Sequence, residues 1–308
     1  MEASELKEKI EQLKRERNAV ILAHNYQAGE VQDIADYLGD SLGLSIKASR
    51  VDKEVIVFCG VYFMAETAAI LAPDKTVLIP DEKARCPMAD MIRKSQLEKW
   101  KNKNPGSKTV CYVNSTADVK AGCDICCTSS NAIQVVNSLE DREVLFVPDR
   151  NLASYVAGKS SKEIIPWNGY CYVHDEIGLE DILEKKRLYP NSEVWVHPEC
   201  RPEVARLADK VFSTGSMVEE AHRTAKKDIL IGTETGIIYR LKKENPEKNF
   251  HSLREQAVCR DMKKITLNKV YLALKNMEKK VTVPDEIKEK AGRAIKRMID
   301  ISIHNQDG

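Results

Sequence analysis

The chain has 308 residues, with 48 Lys+Arg against 47 Asp+Glu, a formal net charge of +1 and 43% hydrophobic residues. That length supports a substantial core and more than one domain. Near-balanced charge argues against nucleic acid or an anionic membrane surface as the main partner, and no apolar run approaches the roughly 20 residues that a membrane span needs. Residues 1–17 are charged, with Leu6, Ile10 and Leu13 on one helical face. They lack the apolar stretch of a signal peptide, so a cytoplasmic location is expected. Nine cysteines in such a chain read as core, metal-binding or catalytic thiols rather than disulfides.

In chain order, a strand is expected at 19–23, followed by the polar triplet His24-Asn25-Tyr26 and a helix-like stretch at 30–38. Ser41 then reads as an N-cap opening a helix toward residue 49. A buried strand at 55–58, a helix at 64–71 and a strand at 76–79 follow, and a loop after Pro80 reaches Cys86. The second stretch repeats this. It has a strand at 109–112, the triplet Tyr112-Val113-Asn114, a helix from near 117, Ser129 at the next helix start, a strand at 144–147 and a loop to Cys171. The third has a strand at 193–196, the triplet His197-Pro198-Glu199, a helix at 202–208, Thr214, a strand at 229–231, a helix at 236–243 and Cys259. From 262 the pattern is helical, broken at Lys279-Lys280 and Pro284, with a last helix from about 286 to 303.

These landmarks share one step. The triplets begin at residues 24, 112 and 197, the hydroxyl residues stand at 41, 129 and 214, and the cysteines at 86, 171 and 259, so every interval is 85 or 88. So long a period marks a triplicated α/β unit rather than a solenoid. The expected fold class is α/β: three homologous three-layer αβα domains around a pseudo-threefold axis with a central active-site cavity. Its units are 1–88, with the C-terminal helices 262–308 packed on it, then 89–174 and 175–261. Ligands in such sheets bind at the carboxyl ends of strands, where the triplets lie. Ser41, Ser129 and Thr214, read as helix starts, would attract the oxygens of an acidic small molecule.

Cys86, Cys171 and Cys259 are best read as metal ligands, because burial as core thiols explains neither their shared register nor their loop context. Structural zinc sites recruit close cysteine pairs. Single cysteines this far apart suit an interdomain iron–sulfur cluster, and three ligands would leave one iron of a 4Fe-4S cluster open as a Lewis acid. The Cys123-x-x-Cys126 motif is a decoy on this reading, since Cys126 and Cys127 align with Val211 and Phe212 at core positions. Cys59 and Cys111 also read as core. His24 and His197 open triplets and can bind a carboxylate or move a proton. His174, three residues past Cys171, is expected near the metal and among the substrate-binding residues, and His222, His251 and His304 at the surface. Glu199 is the one carboxylate among the triplets and a candidate general base or transient iron ligand. Tyr26 and Tyr112 are candidate proton donors or acceptors beside it.

The segments Leu22-Ala23-His24-Asn25-Tyr26, Tyr112-Val113-Asn114-Ser115, Thr128-Ser129-Ser130-Asn131-Ala132, Val196-His197-Pro198-Glu199-Cys200, Thr235-Gly236-Ile237-Ile238-Tyr239 and Cys259-Arg260-Asp261-Met262-Lys263 strongly resemble the quinolinate synthase family of NAD biosynthesis. The resemblance implies three similar αβα domains around a central cavity and a 4Fe-4S cluster held by Cys86, Cys171 and Cys259. It implies condensation of iminoaspartate with dihydroxyacetone phosphate to quinolinate, with release of phosphate and two waters. It also implies substrate contacts at His24, Ser41, Tyr112, Val113, Asn114, Ser129, His197, Pro198, Glu199 and Thr214, and it leaves open a partner enzyme that hands over the imine. Some family members carry C-x-x-C-x-x-C around the last cysteine; this chain has Cys259 alone there. The rival readings are an aconitase-like iron–sulfur hydro-lyase, a non-catalytic iron–sulfur redox or oxygen sensor, and a zinc-built scaffold. The balanced charge offers the sensor no nucleic-acid-binding segment.

Overall fold

The computed structural model describes residues 2–304, apart from the His304 side chain, so the surface reading of His304 falls outside the described residues. Three four-stranded sheets form, each wholly parallel and each with the same strand order. The first is β1 (Ala19–His24), β2 (Tyr37–Gly39), β3 (Val55–Cys59) and β4 (Thr76–Leu78), ordered β2-β1-β3-β4. The second is β5 (Lys108–Tyr112), β6 (Ile125–Cys127), β7 (Glu143–Val147) and β8 (Glu163–Pro166), ordered β6-β5-β7-β8. The third is β9 (Glu193–Val196), β10 (Lys210–Val211), β11 (Asp228–Gly232) and β12 (Asn249–Ser252), ordered β10-β9-β11-β12. The central strands are continuous Val/Ile/Leu-rich runs, and β1 and β3 are buried at every residue. Burial on both faces is what a parallel sheet covered by crossover helices requires.

Two expectations are corrected. The first sheet has one short edge strand beyond those expected, β2, and the second and third have two each, β6 and β8, and β10 and β12; 30–38 is therefore not one helix. The helix Gly29–Gln32 spans four residues and the chain then enters β2. The cause is an aspartate at the same register in each copy. The carboxylates of Asp36, Asp124 and Asp209 accept the backbone N–H of Ile21 at 2.8 Å, Thr109 at 2.8 Å and Val194 at 2.7 Å. Each pins the incoming edge strand to the start of the first strand.

The second correction concerns the C-terminus. The helix Leu267–Asn276 lies against the helix Ala3–Glu16 and β3 of the first unit. The helix Asp285–His304, expected on the first unit too, lies mainly against β6 and the helices Ala117–Ala121 and Ala132–Asn137 of the second, and also touches Tyr62–Leu71. Its apolar face of Ala291, Ala294, Ile295 and Met298 is fully buried. Asn131 Nδ2 donates to Ser302 Oγ at 2.7 Å, which fixes its far end. Among the described residues no helix is long and apolar enough to cross a membrane.

Candidate active site

The triplets stand where β1, β5 and β9 end, and the side-chain alternation of a strand sorts them. First and third members, His24 and Tyr26, Tyr112 and Asn114, His197 and Glu199, all line one cavity. The middle members Val113 and Pro198, expected among the substrate contacts, are buried but do not form its wall. Val113 N–H instead donates to the Cys127 carbonyl at 2.9 Å and extends the sheet ladder. Ser41, Ser129, Thr214, His174, Cys86, Cys171 and Cys259 complete the predicted set, and all of them face the same space. Residues of all three sheet layers thus meet there.

Glu199 is the hub. It is 2% exposed, accepts a short hydrogen bond from the Tyr112 hydroxyl, and has His174 Nδ1 2.8 Å from Oε2, close enough for an ion pair but not aligned as a hydrogen bond. Burial pushes its carboxyl up, but the His174 and His197 rings and the Tyr112 hydroxyl outweigh this and hold it below the usual carboxylate range. The rings of His174 and His197 stack with centroids 4.5 Å apart. His174 Nε2 lies 2.8 Å from Thr233 Oγ1 and 3.4 Å from the Tyr26 hydroxyl, and Tyr26 also bonds Thr233. Burial lowers His24 to about 4 and His197 to about 3, so both rings are neutral at pH 7. Burial, then the Glu199 charge, raises Tyr26 and Tyr112 well above the ordinary phenol value, so both remain hydrogen-bond donors. Asn114 Oδ1 is buried without a partner in this wall.

The hydroxyl residues are not the caps they were expected to be. Asp40 caps the helix Ser41–Arg50 by accepting Gly43 N–H, and Ser213 caps Thr214–Arg223 by accepting Ser216 N–H. Ser41 and Thr214 are therefore first helical residues, still beside free backbone N–H groups that favour an anion. In the second unit the helix begins only at Ala132, so Ser129 sits in a turn, with its Oγ 3.2 Å from His197 Nε2.

The three cysteines share a local device. Burial raises all three thiols, and nearby backbone N–H groups oppose it: those of Ala89 and Met88 at Cys86, that of His174 at Cys171, and those of Met262 and Asp261 at Cys259. Cys171 is the N-cap residue of a short helical turn, and Cys86 and Cys259 each lie three residues before one, so backbone N–H groups near each sulfur favour a thiolate while burial pushes the bare thiols up. Among the described residues, single ligand atoms of Cys171, His174 and Glu199 lie within 4.8 Å of one another, whereas no such group unites the three cysteine sulfurs. A single zinc ion at about 2.3 Å from each sulfur could not span them unmoved. The donor set fits a multinuclear iron–sulfur cluster, which needs wider spacing and thiolate ligands.

Cys126 and Cys127 are fully buried in β6, and Cys123 donates to the Val119 carbonyl at 3.2 Å; none lines the cavity. Cys59 and Cys111 are buried in strands. His222 pairs with Glu244 at 3.2 Å at the exterior, and His251 is half-buried, stacked on Tyr189 and paired with Asp228. Sequence reasoning missed Asp40, Thr233, Glu234 and Lys263. Asp40 Oδ2 accepts the Ser130 hydroxyl at 2.6 Å and the Ser213 hydroxyl at 3.3 Å, joining the segments that follow β2, β6 and β10 at the cavity rim. Register held the signal, since Asp40, Thr128 and Ser213 are equivalent positions.

The sequence model of the quinolinate synthetase A protein family matches residues 8–300. The chain is similar to the quinolinate synthase of Dehalococcoides mccartyi strain CBDB1, 57% identical over 95% of this chain and 97% of that one. It is also similar to those of Methanosarcina barkeri, 51% identical over 98% of this chain and 100% of that one, and Thermodesulfovibrio yellowstonii, 51% identical over 96% and 97%. By both measures, over nearly its whole length, the chain belongs to the quinolinate synthetase A protein family of quinolinate synthase enzymes.

Proposed function

We propose that the chain condenses iminoaspartate with dihydroxyacetone phosphate to quinolinate, releasing phosphate and two waters, in cytoplasmic NAD biosynthesis. On this reading the units 1–88, 89–174 and 175–261 surround a pseudo-threefold axis, and the cavity on that axis is the active site. Cys86, Cys171 and Cys259 hold a 4Fe-4S cluster. Such a cluster, when bound through three thiolates, supplies one iron without a cysteine, a Lewis acid that makes a hydroxyl a better leaving group as water.

The other steps fall to side chains. Glu199, held ionised, is the general base, and its bond with Tyr112 gives it a proton donor at hand. Tyr26 reaches His174 and Thr233, so a proton can move along that chain during isomerisation of the triose and closure of the ring. Neutral His24 and His197 offer ring N–H donors to carboxylates without the desolvation cost of a buried cation. Ser41, Ser129 and Thr214 bind carboxylate or phosphate oxygens, and Tyr112 and Asn114, with its unpaired Oδ1, orient the substrate. Val113 and Pro198 shape the strand ends behind the wall. An enzyme that makes iminoaspartate is the expected supplier, because the imine hydrolyses in water.

One observation carries the reading: three cysteines, one per unit, face the same cavity as the Glu199 network. The test is iron and acid-labile sulfide after anaerobic purification, followed by quinolinate formation from the two substrates. About four of each per chain with turnover is the expected result. A cluster with turnover of a single hydroxy acid substrate and no carbon–carbon bond formation would give the hydro-lyase reading instead. Zinc, or no metal after reconstitution, would reject the cluster.

A further inference from the structure

The end of the third strand repeats across the units, so that Val61, Asp149 and Glu234 occupy one register. The residue after each ties the strand to the cysteine loop by the same backbone bond. Tyr62 N–H donates to the Ala84 carbonyl at 2.7 Å, Arg150 N–H to Gly169 at 2.8 Å and Thr235 N–H to Ala257 at 2.9 Å. Each acceptor lies two residues before its cysteine. At the register position itself the units differ. The first has a valine, and the second has Asp149, whose Oδ2 is buried without a hydrogen-bond partner.

Glu234 is different again. It is fully buried, and its Oε1 accepts the Cys259 backbone N–H at 3.0 Å while Oε2 accepts Gly236 N–H at 2.7 Å. Lys263 Nζ lies 2.9 Å from Oε1 and 3.2 Å from Oε2, and the same ammonium donates to the Tyr26 carbonyl. Lys263 comes from the turn that follows Cys259, while Tyr26 comes from the first unit. The convergence leaves no room for a side chain at residue 236. A Cβ on Gly236 would stand 2.6 Å from Lys263 Nζ, 2.6 Å from the Tyr26 oxygen and 2.8 Å from Glu234 Oε2.

We propose that Glu234 and Lys263 form a clamp that holds the Cys259 loop and the Tyr26 backbone in one frame. Both are positioning residues: the Glu234 oxygens are engaged by backbone N–H groups and by the ammonium. The inference rests on the reading of Cys259 as a metal ligand and Tyr26 as an active-site phenol. A buried carboxylate with this many donors is expensive to leave unpaired, so breaking either half should free the loop.

The test is site-resolved iodoacetamide alkylation of Cys86, Cys171 and Cys259 in the metal-free full chain, read by mass spectrometry, for wild type, Glu234→Gln, Lys263→Met and Lys263→Arg. Losing a charge-assisted bond should raise Cys259 alkylation by roughly tenfold in Glu234→Gln and Lys263→Met. Cys86 and Cys171 should keep wild-type rates, and Lys263→Arg should restore most of the protection. In reconstituted protein, iron loss to a chelator should accelerate in the same two variants. Unchanged Cys259 reactivity, or equal acceleration at all three cysteines, overturns the clamp. If Glu234→Gln does not fold, Lys263→Met carries the same test from the partly exposed end of the pair. Wild-type protein without iron would break the metal reading by itself, and the alkylation pattern would still decide the clamp.

Discussion

Glu199 owes its lowered pKa to its neighbours. A carboxyl 2% exposed would ordinarily take up a proton, yet the His174 and His197 rings and the Tyr112 hydroxyl hold this one below the usual carboxylate range. Glu199→Gln preserves the shape and removes the charge. Turnover should fall by about 100-fold or more while iron content stays at the wild-type level, and near-normal quinolinate formation would remove its acid–base role. The buried histidines make a second prediction, on stability. His24 and His197 take up a proton near 4 and 3 in the folded chain and near 6.5 when unfolded. Below about pH 6.5 the unfolded state binds more protons, so stability is full above that value and is lost as pH falls toward the folded values. Two such groups give a slope of at most about 2.7 kcal/mol per pH unit. Urea midpoints of metal-free protein between pH 7 and 5 should fall accordingly, and His24→Gln should roughly halve the slope. A flat profile would mean these rings are not buried neutral.

At the scale of elements, what the sequence made legible was whatever burial writes in long apolar runs. The central strands and the triplets at their ends follow from such runs, because a strand buried on both faces has no polar alternation to hide it. The edge strands did not show. β10 has two residues and β2 three, and only one partner strand supports each, so local pattern is too short to tell them from the end of a helix. Their true marker is the repeated aspartate at 36, 124 and 209, a side-chain bond that composition does not display. The caps were misplaced by one residue for a related reason. Ser41 and Thr214 are good capping types, but Asp40 and Ser213 precede them and take the backbone N–H. Asp40 does more than cap, since its Oδ2 also joins Ser130 and Ser213, in the segments that follow β6 and β10. Asp40→Ala should therefore cost more than the roughly 1 kcal/mol of a lost cap, about 2 kcal/mol by denaturant midpoint, with Ser213→Ala costing less. An Asp40→Ala loss no larger than the roughly 1 kcal/mol of a cap alone would show that the bonds to Ser130 and Ser213 contribute nothing.

For the whole molecule, the proposed ligand set, one cysteine from the region of each sheet, would make metal binding and assembly of the three sheet regions one equilibrium. A group bound by Cys86, Cys171 and Cys259 binds the folded arrangement and not the unfolded chain, so it stabilises in proportion to the logarithm of its occupancy. On the proposed ligation, loss of any one sulfur would leave two sheet regions holding the group and the third unattached. Cys86→Ala, Cys171→Ala and Cys259→Ala should therefore each abolish iron retention, and each should bring the melting temperature of reconstituted protein down to that of the metal-free wild type. Cys126→Ala should keep full iron content, since its sulfur is buried in β6 away from the cavity, and should lose stability only through the small void it leaves. Iron analysis and thermal melts on the four variants separate the cases. If Cys126→Ala lost iron as completely as Cys86→Ala, the close cysteine motif would be a ligand after all. If Cys86→Ala alone kept its iron, the metal would belong to the Cys171, His174 and Glu199 group, whose ligand atoms already lie within 4.8 Å of one another, and the threefold arrangement of ligands would be wrong.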